Sequence, residues 1–188
     1  MRTSKIKDMT FIAVMTAVIC ILGPLSIPIG PVPISLTNLA LYLTIYILGT
    51  RRSVIACGLY LLIGLVGLPV FSGFTGGPEK LVGPTGGYLI GFIFMTLAAG
   101  LLIDRVHEKR VLSFLSMFAA TWIPYMLGTV WLAYSAHMKL AAAFAAGVLP
   151  FILEDMVKMA AAAAVGPVLR KRLSRFGLFA PAKGQQSA

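Results

Sequence analysis

Residues 144–169 read FAAGVLPFILEDMVKMAAAAAVGPVL, a stretch of twenty-six residues in which only three side chains are charged. An α-helix needs about 20 largely apolar residues to cross the hydrocarbon core of a bilayer. The stretch is therefore long enough to span a membrane as a helix. It lacks the alternation of apolar and polar residues that a transmembrane β-strand requires.

Five further apolar stretches precede this one, and Pro, Gly or charged residues separate them. They cover residues 9–29, 34–50, 53–72, 86–103 and 111–134. The second is the shortest, and the polar residues Ser35, Thr37 and Asn38 lie at its start. We therefore predict an all-α integral membrane protein with six transmembrane helices. Residues 1–179 form one membrane domain in this prediction, and residues 180–188 form a short, polar, disordered tail.

The composition excludes an ordinary soluble enzyme. The chain is 59% hydrophobic and 12% charged, with a mean hydropathy of +0.92, whereas soluble domains are about 45–50% apolar and about 25% charged. A single core in 188 residues could not bury so much apolar surface. An integral membrane protein is the class that remains.

The basic excess of the chain follows the predicted topology. The formal net charge is +10, and a cytoplasmic N-terminus places thirteen of the sixteen Lys and Arg residues on the cytoplasmic side. Such an asymmetry is the usual signature of orientation in a membrane. It predicts that both termini are cytoplasmic and that the basic residues contact anionic membrane lipid, so a nucleic-acid partner is not expected.

Motifs for catalysis are missing from the sequence. It has no phosphate-binding Gly-rich loop followed by Lys-Ser or Lys-Thr, no His, Cys and carboxylate cluster with metal spacing, and no nucleophile–base set. We therefore expect no enzymatic activity, no metal and no cofactor in this chain. Any ATP hydrolysis linked to its function would belong to partner proteins.

The charged residues inside the last span are the strongest candidates for a binding site, because ionisable groups within a membrane are costly. Glu154 and Asp155 lie four and three residues before Lys158, so both carboxylates can reach the lysine on one helix face. One carboxylate suffices to neutralise the lysine, which leaves the other for water or a ligand. The alternative is an ion pair that only neutralises itself.

Two further segments carry functional hypotheses. Residues 71–88 are too long and too Gly-rich for a simple turn, and they include GPTGGY at 83–88. This composition favours a lid over a flexible connector, with the Tyr88 ring available for stacking on a ligand. In the first span, Ala13 and Ala17 form a small-xxx-small element that lets another helix approach closely. Packing within the chain is the alternative for this element.

These motifs together resemble the BioY family. The resemblance rests on six apolar stretches, the Ala13-xxx-Ala17 element, GPTGGY before the fourth span, and the Leu149-Pro150-Phe151 sequence followed by Asp155 and Lys158. The family is the biotin-specific substrate-binding S component of energy-coupling-factor (ECF) transporters in prokaryotes. The resemblance implies a multi-pass subunit of the cell membrane that captures biotin at the external face.

The resemblance also implies partners and contacts. The partners would be a transmembrane coupling protein, with Ala13 and Ala17 as the docking surface, and two cytoplasmic ATPases. The substrate-binding residues carried over by motif are Asp155, Lys158, Tyr88, Gly83, Thr85, Gly86 and Gly87. Two alternatives remain: an S component for another small vitamin or metabolite, and a membrane-embedded enzyme or assembly factor without a transport role.

Overall fold

The computed structural model describes residues 2–174, and the predicted tail at 180–188 lies outside them. The described chain is mostly helical, with one two-stranded sheet. The helices are α1 (Arg2–Leu22), α2 (Thr37–Leu48), α3 (Thr50–Leu65), α4 (Pro78–Val82), α5 (Gly86–Val106), α6 (Arg110–Ser135), α7 (Leu140–Gly147) and α8 (Leu149–Ser174). The strands are β1 (Ser26–Ile27) and β2 (Ile34–Ser35).

Within residues 2–174, three parts of the chain are long and apolar enough to cross a membrane: α5, α6 and the combined segment from Leu140 to Ser174. Helix α2 is apolar but shorter. Large apolar side chains such as Phe94, Leu101 and Leu115 are exposed. In a membrane protein these side chains face lipid, so the exposed apolar surface agrees with the composition.

The connection between α1 and α2 is a small hairpin that the sequence did not predict. The sequence predicts that the first span extends to residue 29, but α1 ends at Leu22, just before Gly23-Pro24. Proline has no N–H group and cannot continue the hydrogen bonding of a helix. Strands β1 and β2 then pair antiparallel, with Ser26 opposite Ser35 and Ile27 opposite Ile34. This hairpin sets the entry into α2.

A sharp corner separates α2 from α3 at Gly49, whose φ of 74° favours glycine. Asp104 of α5 reaches this corner. Its Oδ2 accepts hydrogen bonds from the backbone N–H of Thr50 at 3.0 Å and from the Thr50 hydroxyl, and Arg170 of α8 donates to its Oδ1 at 2.8 Å. Because α5 continues to Val106, it brings the Asp104 carboxylate against α3 and α8.

Helices α5 and α6 pack closely because glycines remove the side chains between them. A Cβ at Gly91 would lie 2.6 Å from the Pro124 Cα, and one at Gly87 would lie 2.6 Å from the Leu127 carbonyl oxygen. Pro124 lies inside α6, where it has no N–H to donate. The close approach brings the middle of α6 towards the start of α5.

The segment from residue 71 to 88 has its own structure. Phe71 is buried against the Tyr60 ring, with centroids 5.5 Å apart, and bridges to Thr75. The N–H of Gly77 donates to the Gly64 carbonyl at 2.7 Å. The span predicted at 53–72 is therefore shorter as a helix: α3 ends at Leu65, and the residues after it fold back over its end.

The predicted span at 144–169 is divided in two. Helix α7 ends at Gly147, and Val148, with φ −127° and ψ −53°, leaves the helical conformation before α8 begins at Leu149. Pro150 follows in the first turn of α8, where its missing N–H costs little. The break positions the carbonyl of Gly147 and the first turns of α8 beside α5 and α6.

Candidate ligand-binding site

Asp155 lies at the centre of a buried polar cluster formed by α2, α6 and α8. Asp155 is only 1% exposed. Asn38 Nδ2 donates to both carboxylate oxygens at 3.0 Å, and the Tyr125 hydroxyl donates to Oδ2 at 2.7 Å. Hydrogen bonds to an ionised acceptor are strong, so this arrangement stabilises a carboxylate that would otherwise be costly to bury.

Lys158 supplies the positive charge of the cluster and is 8% exposed. Its ammonium group contacts Glu154 Oε1 and donates to the backbone carbonyl of Ser35, while Asp155 Oδ1 lies 3.4 Å away. The sequence placed both carboxylates within reach of the lysine, and both contact it. The nearer one is Glu154, and Asp155 has its closest partners on other helices.

A cavity of about 40 Å³ opens beside this cluster. Its polar lining includes Asn38, Asp155 and Lys158, and the remaining wall is largely aromatic and proline-rich. The other lining residues are Pro33, Ser35, Tyr88, Phe92, Pro124, Tyr125, Gly147 and Phe151. Convergent polar groups on an otherwise apolar wall are typical of a small-molecule site. In the part of the chain that the structure describes, no three His, Cys, Asp or Glu residues could share a metal ion.

Tyr88 is the residue of the GPTGGY segment that reaches the cavity. Its hydroxyl donates to the Gly147 carbonyl at 3.0 Å, and its ring lies against Gly128. The other predicted contacts, Gly83, Thr85, Gly86 and Gly87, do not line the cavity. Gly86 and Gly87 pack against α6, and the Gly83 carbonyl accepts a hydrogen bond from Trp131 Nε1 at 2.9 Å.

Sequence reasoning missed Asn38, Tyr125 and the backbone of Ser35 as members of this cluster. In the sequence, Asn38 is one of three polar residues at the start of a short apolar stretch. That position was a usable signal, because an amide within an apolar helix needs a partner. Tyr125 is one of four Trp and Tyr residues in its apolar stretch, which could form interfacial anchors or a pocket wall, and nothing in the sequence singles it out as a partner of Asp155.

The predicted docking element lies elsewhere, on α1. Ala13 and Ala17 are both exposed, and Thr10 and Ile21 extend the same face of the helix. The alternative was that these two alanines pack against other parts of the chain. Since both are exposed, no packing against the described residues explains why they are small. Their small side chains leave the α1 backbone open to close approach from outside.

Comparisons with known proteins agree on one family. The family model described as "BioY family" matches residues 1–175. The biotin transporter BioY of Thermotoga maritima is 39% identical over 84% of this chain and 92% of its own length. The biotin transporter BioY2 of Lactococcus lactis subsp. cremoris is 34% identical over 93% of this chain and 96% of its own length.

A solved structure gives the same result at the level of the fold. The crystal structure of the S-component for biotin from an ECF-type ABC transporter superposes with a TM-score of 0.84. It shares 31% sequence identity, and the match covers 91% of this chain and 94% of that one. From the family match, the relatives and the shared fold, we conclude that this chain belongs to the BioY family.

Proposed function

We propose that this chain is the biotin-binding membrane subunit of an ECF-type uptake transporter. The observation that carries the proposal is the buried Asp155 carboxylate, held by Asn38 and Tyr125 beside Lys158 at an aromatic cavity. The relatives named as biotin transporters and the S-component with the same fold support biotin as the substrate. The chain itself acts by binding and carries out no chemical reaction.

The chemistry of biotin suits the cluster. Its ureido ring presents two N–H donors and one carbonyl acceptor, and Asp155 can accept from the N–H groups. Lys158 can donate either to the ureido carbonyl or to the valerate carboxylate. The apolar bicycle and alkyl chain would pack against Tyr88, Phe92 and Phe151. In this proposal, the segment before Tyr88 positions its ring; the segment includes Gly83, Thr85, Gly86 and Gly87. Direct contact between these four residues and biotin stays a prediction.

The proposed topology uses α1, α2, α3, α5, α6 and α8 as six spans, with both termini in the cytoplasm of a prokaryote and the Asp155 cavity near the external face. Uphill transport needs an energy source, because a ligand shifts an equilibrium only by its unequal affinity for the two states. We assign that source to a transmembrane coupling protein and two cytoplasmic ATPases. Ala13 and Ala17 on the exposed face of α1 are the proposed docking surface.

Equilibrium binding of labelled biotin to the purified chain tests the substrate, with riboflavin and thiamine as competitors. We expect saturable binding that only biotin displaces. Displacement by another vitamin, or no binding by a folded sample, would instead favour an S component with a different substrate.

Asp155→Asn tests the site. We expect the affinity for biotin to fall at least about 100-fold, since the carboxylate makes charge-assisted hydrogen bonds worth about 1.5–3 kcal/mol each. Glu79→Gln, the same chemical change on the exposed surface of α4, is the matched control and should leave affinity unchanged. Near-normal binding by a folded Asp155→Asn protein would remove Asp155 from the site.

A further inference from the structure

A second cavity lies at the opposite end of the helix bundle from Asp155. Its volume is about 650 Å³, and the start of α1, the α2–α3 corner and the ends of α5 and α8 form its walls. Arg170 in this cavity follows Asp155 by fifteen residues on α8, a distance of about 22 Å along the helix. The cavity is therefore separate from the proposed biotin site.

Basic side chains outnumber carboxylates around this cavity. The charged lining residues are Lys5, Arg51, Arg52, Arg170, Asp8 and Asp104. Arg52 is paired with Asp8 at 2.9 Å. Arg170 is paired with Asp104 at 2.8 Å. Lys5 and Arg51 are exposed and have no carboxylate within 4.0 Å among the described residues, so the lining carries a net positive charge.

The remaining wall is apolar and faces outwards. Met9 is 69% exposed and Ile55 is 45% exposed, and the half-buried Ile12 of α1 also lines this wall. Along α1 the lining runs from Lys5 to Ile12, so the charge lies at the end of the helix and the apolar surface towards its middle. A ligand that fits both parts has an anionic head and a hydrocarbon chain.

We propose that this cavity binds one anionic phospholipid, with its phosphodiester beside Lys5 and Arg51 and an acyl chain along Met9, Ile12 and Ile55. Basic residues near a membrane surface attract anionic lipid. The exposed apolar wall favours a lipid over a soluble phosphate compound. The four lining residues of α1 lie, on average, roughly 110° around the helix from Ala13 and Ala17, and Met9 lies one turn before Ala13 on a neighbouring part of the surface.

Native mass spectrometry of the purified full chain tests this proposal by titration with phosphatidylglycerol and with phosphatidylcholine of the same acyl chains. We expect phosphatidylglycerol to bind at least about fivefold more tightly, and the variant K5Q/R51Q to lose about tenfold of that affinity. The control R105Q/K109Q removes two exposed cations outside the cavity and should change affinity less than about twofold. K5R/R51K keeps both charges and should bind like the unaltered chain.

Biotin binding verifies that K5Q/R51Q is folded, because the two cavities are far apart, and the single variant R51Q repeats the test if the double variant does not fold. Equal loss in K5Q/R51Q and R105Q/K109Q would overturn the proposal in favour of unspecific surface attraction. Displacement of the lipid by excess glycerol phosphate would assign the cavity to a soluble phosphate compound. Unchanged lipid binding with reduced capture of a coupling protein would assign it to a protein partner.

Discussion

Lys158 contacts the carboxylates of both Glu154 and Asp155, and the two contacts are unequal. Glu154 is bound directly, whereas Asp155 lies 3.4 Å away and takes its shorter hydrogen bonds from Asn38 and Tyr125. Glu154 therefore neutralises the lysine. Asp155 keeps an orientation that other helices determine, which is the state a carboxylate needs if it is to accept hydrogen bonds from a ligand.

Removal of the lysine should cost more stability than removal of Glu154. Lys158→Met leaves two carboxylates in a low-dielectric site without a cation, and we expect the free energy of unfolding to fall by about 3 kcal/mol or more. Glu154→Gln leaves Asp155 to balance Lys158, and we expect a loss of about 1 kcal/mol. Unfolding measured in detergent on both single variants and on the double variant gives the coupling between them.

The double variant E154Q/K158M should be more stable than the sum of the two single losses predicts. Glu79→Gln combined with Lys80→Met is the control cycle, since these neighbours form no ion pair within 4.0 Å in the described structure. It should be additive. Additive losses at Glu154 and Lys158 as well would show that the contact contributes nothing to stability.

At the scale of single residues, the sequence predicted the charged members of the candidate site and Tyr88, but it missed Asn38 and Tyr125. Asp155 and Lys158 stand out because charge within an apolar stretch has a large desolvation cost. Asn38 is separated from Asp155 by 117 residues, and no local pattern connects them. Only the packing of α2 against α8 brings the amide to the carboxylate.

Among the elements, α5 and α6 depend on glycine for their close approach. Gly91→Ala would place a Cβ 2.6 Å from the backbone of Pro124, which cannot move as a side chain can. We expect a loss of about 1–3 kcal/mol in the free energy of unfolding. Biotin affinity should also fall, because Tyr88 of α5 and Tyr125 of α6 line the same cavity.

Gly58→Ala is the matched control for Gly91→Ala. A Cβ at this position in α3 would meet nothing within 4 Å. We therefore expect unchanged or slightly higher stability, by up to about 1 kcal/mol, because alanine restricts the unfolded chain more than glycine. Equal losses in the two variants would mean that helix contact at Gly91 is not the cause.

Asp104 joins three elements, and we expect it to matter for stability and not for biotin binding. Asp104→Asn weakens the cap on α3 and the pair with Arg170, and we expect a loss of about 1–2 kcal/mol. Biotin affinity should remain within about twofold, because Tyr88 lies sixteen residues earlier on α5, about 24 Å away. Glu108→Gln, an exposed carboxylate nearby, should leave unfolding unchanged, and a similar loss there would refute a specific cap.

The apolar stretches of the sequence predicted where the long helices lie, but they did not predict where those helices end. Hydropathy does not register the break at Val148 or the early end of α3 at Leu65, because the residues on both sides remain apolar. The two-residue strands of the hairpin are too short to give an alternating pattern. These ends are determined by tertiary hydrogen bonds and ring packing.

For the molecule as a whole, the small volume of the cavity leads us to expect a movement on binding. A cavity of about 40 Å³ is far smaller than the roughly 300–1,000 Å³ of sites for small organic ligands. The candidate moving wall is the hairpin between α1 and α2. It contributes Pro33 and Ser35 to the lining and packs Val32 beside Tyr88, while residues 28–31 at its tip are exposed.

The segment 71–88, interpreted as a lid from its glycines, is tied to the ends of α1, α3 and α6 by backbone and side-chain hydrogen bonds. We therefore expect biotin to immobilise the hairpin and to leave residues 71–77 unchanged. A spin label on Ile29→Cys, in a chain with Cys20 and Cys57 replaced, should lose mobility when biotin is added. A label on Phe74→Cys, which is also exposed and lies in the other segment, is the control.

The two labels separate the hypotheses because they report on different segments of the same chain. Loss of mobility at residue 29 alone assigns closure to the hairpin, whose β2 strand also supplies the Ser35 carbonyl that binds Lys158. Movement of the hairpin would then alter a contact of Lys158 directly, which couples closure to the charge of the site. Loss of mobility at residue 74 alone would return the lid to the Gly-rich segment and leave the hairpin as a fixed wall.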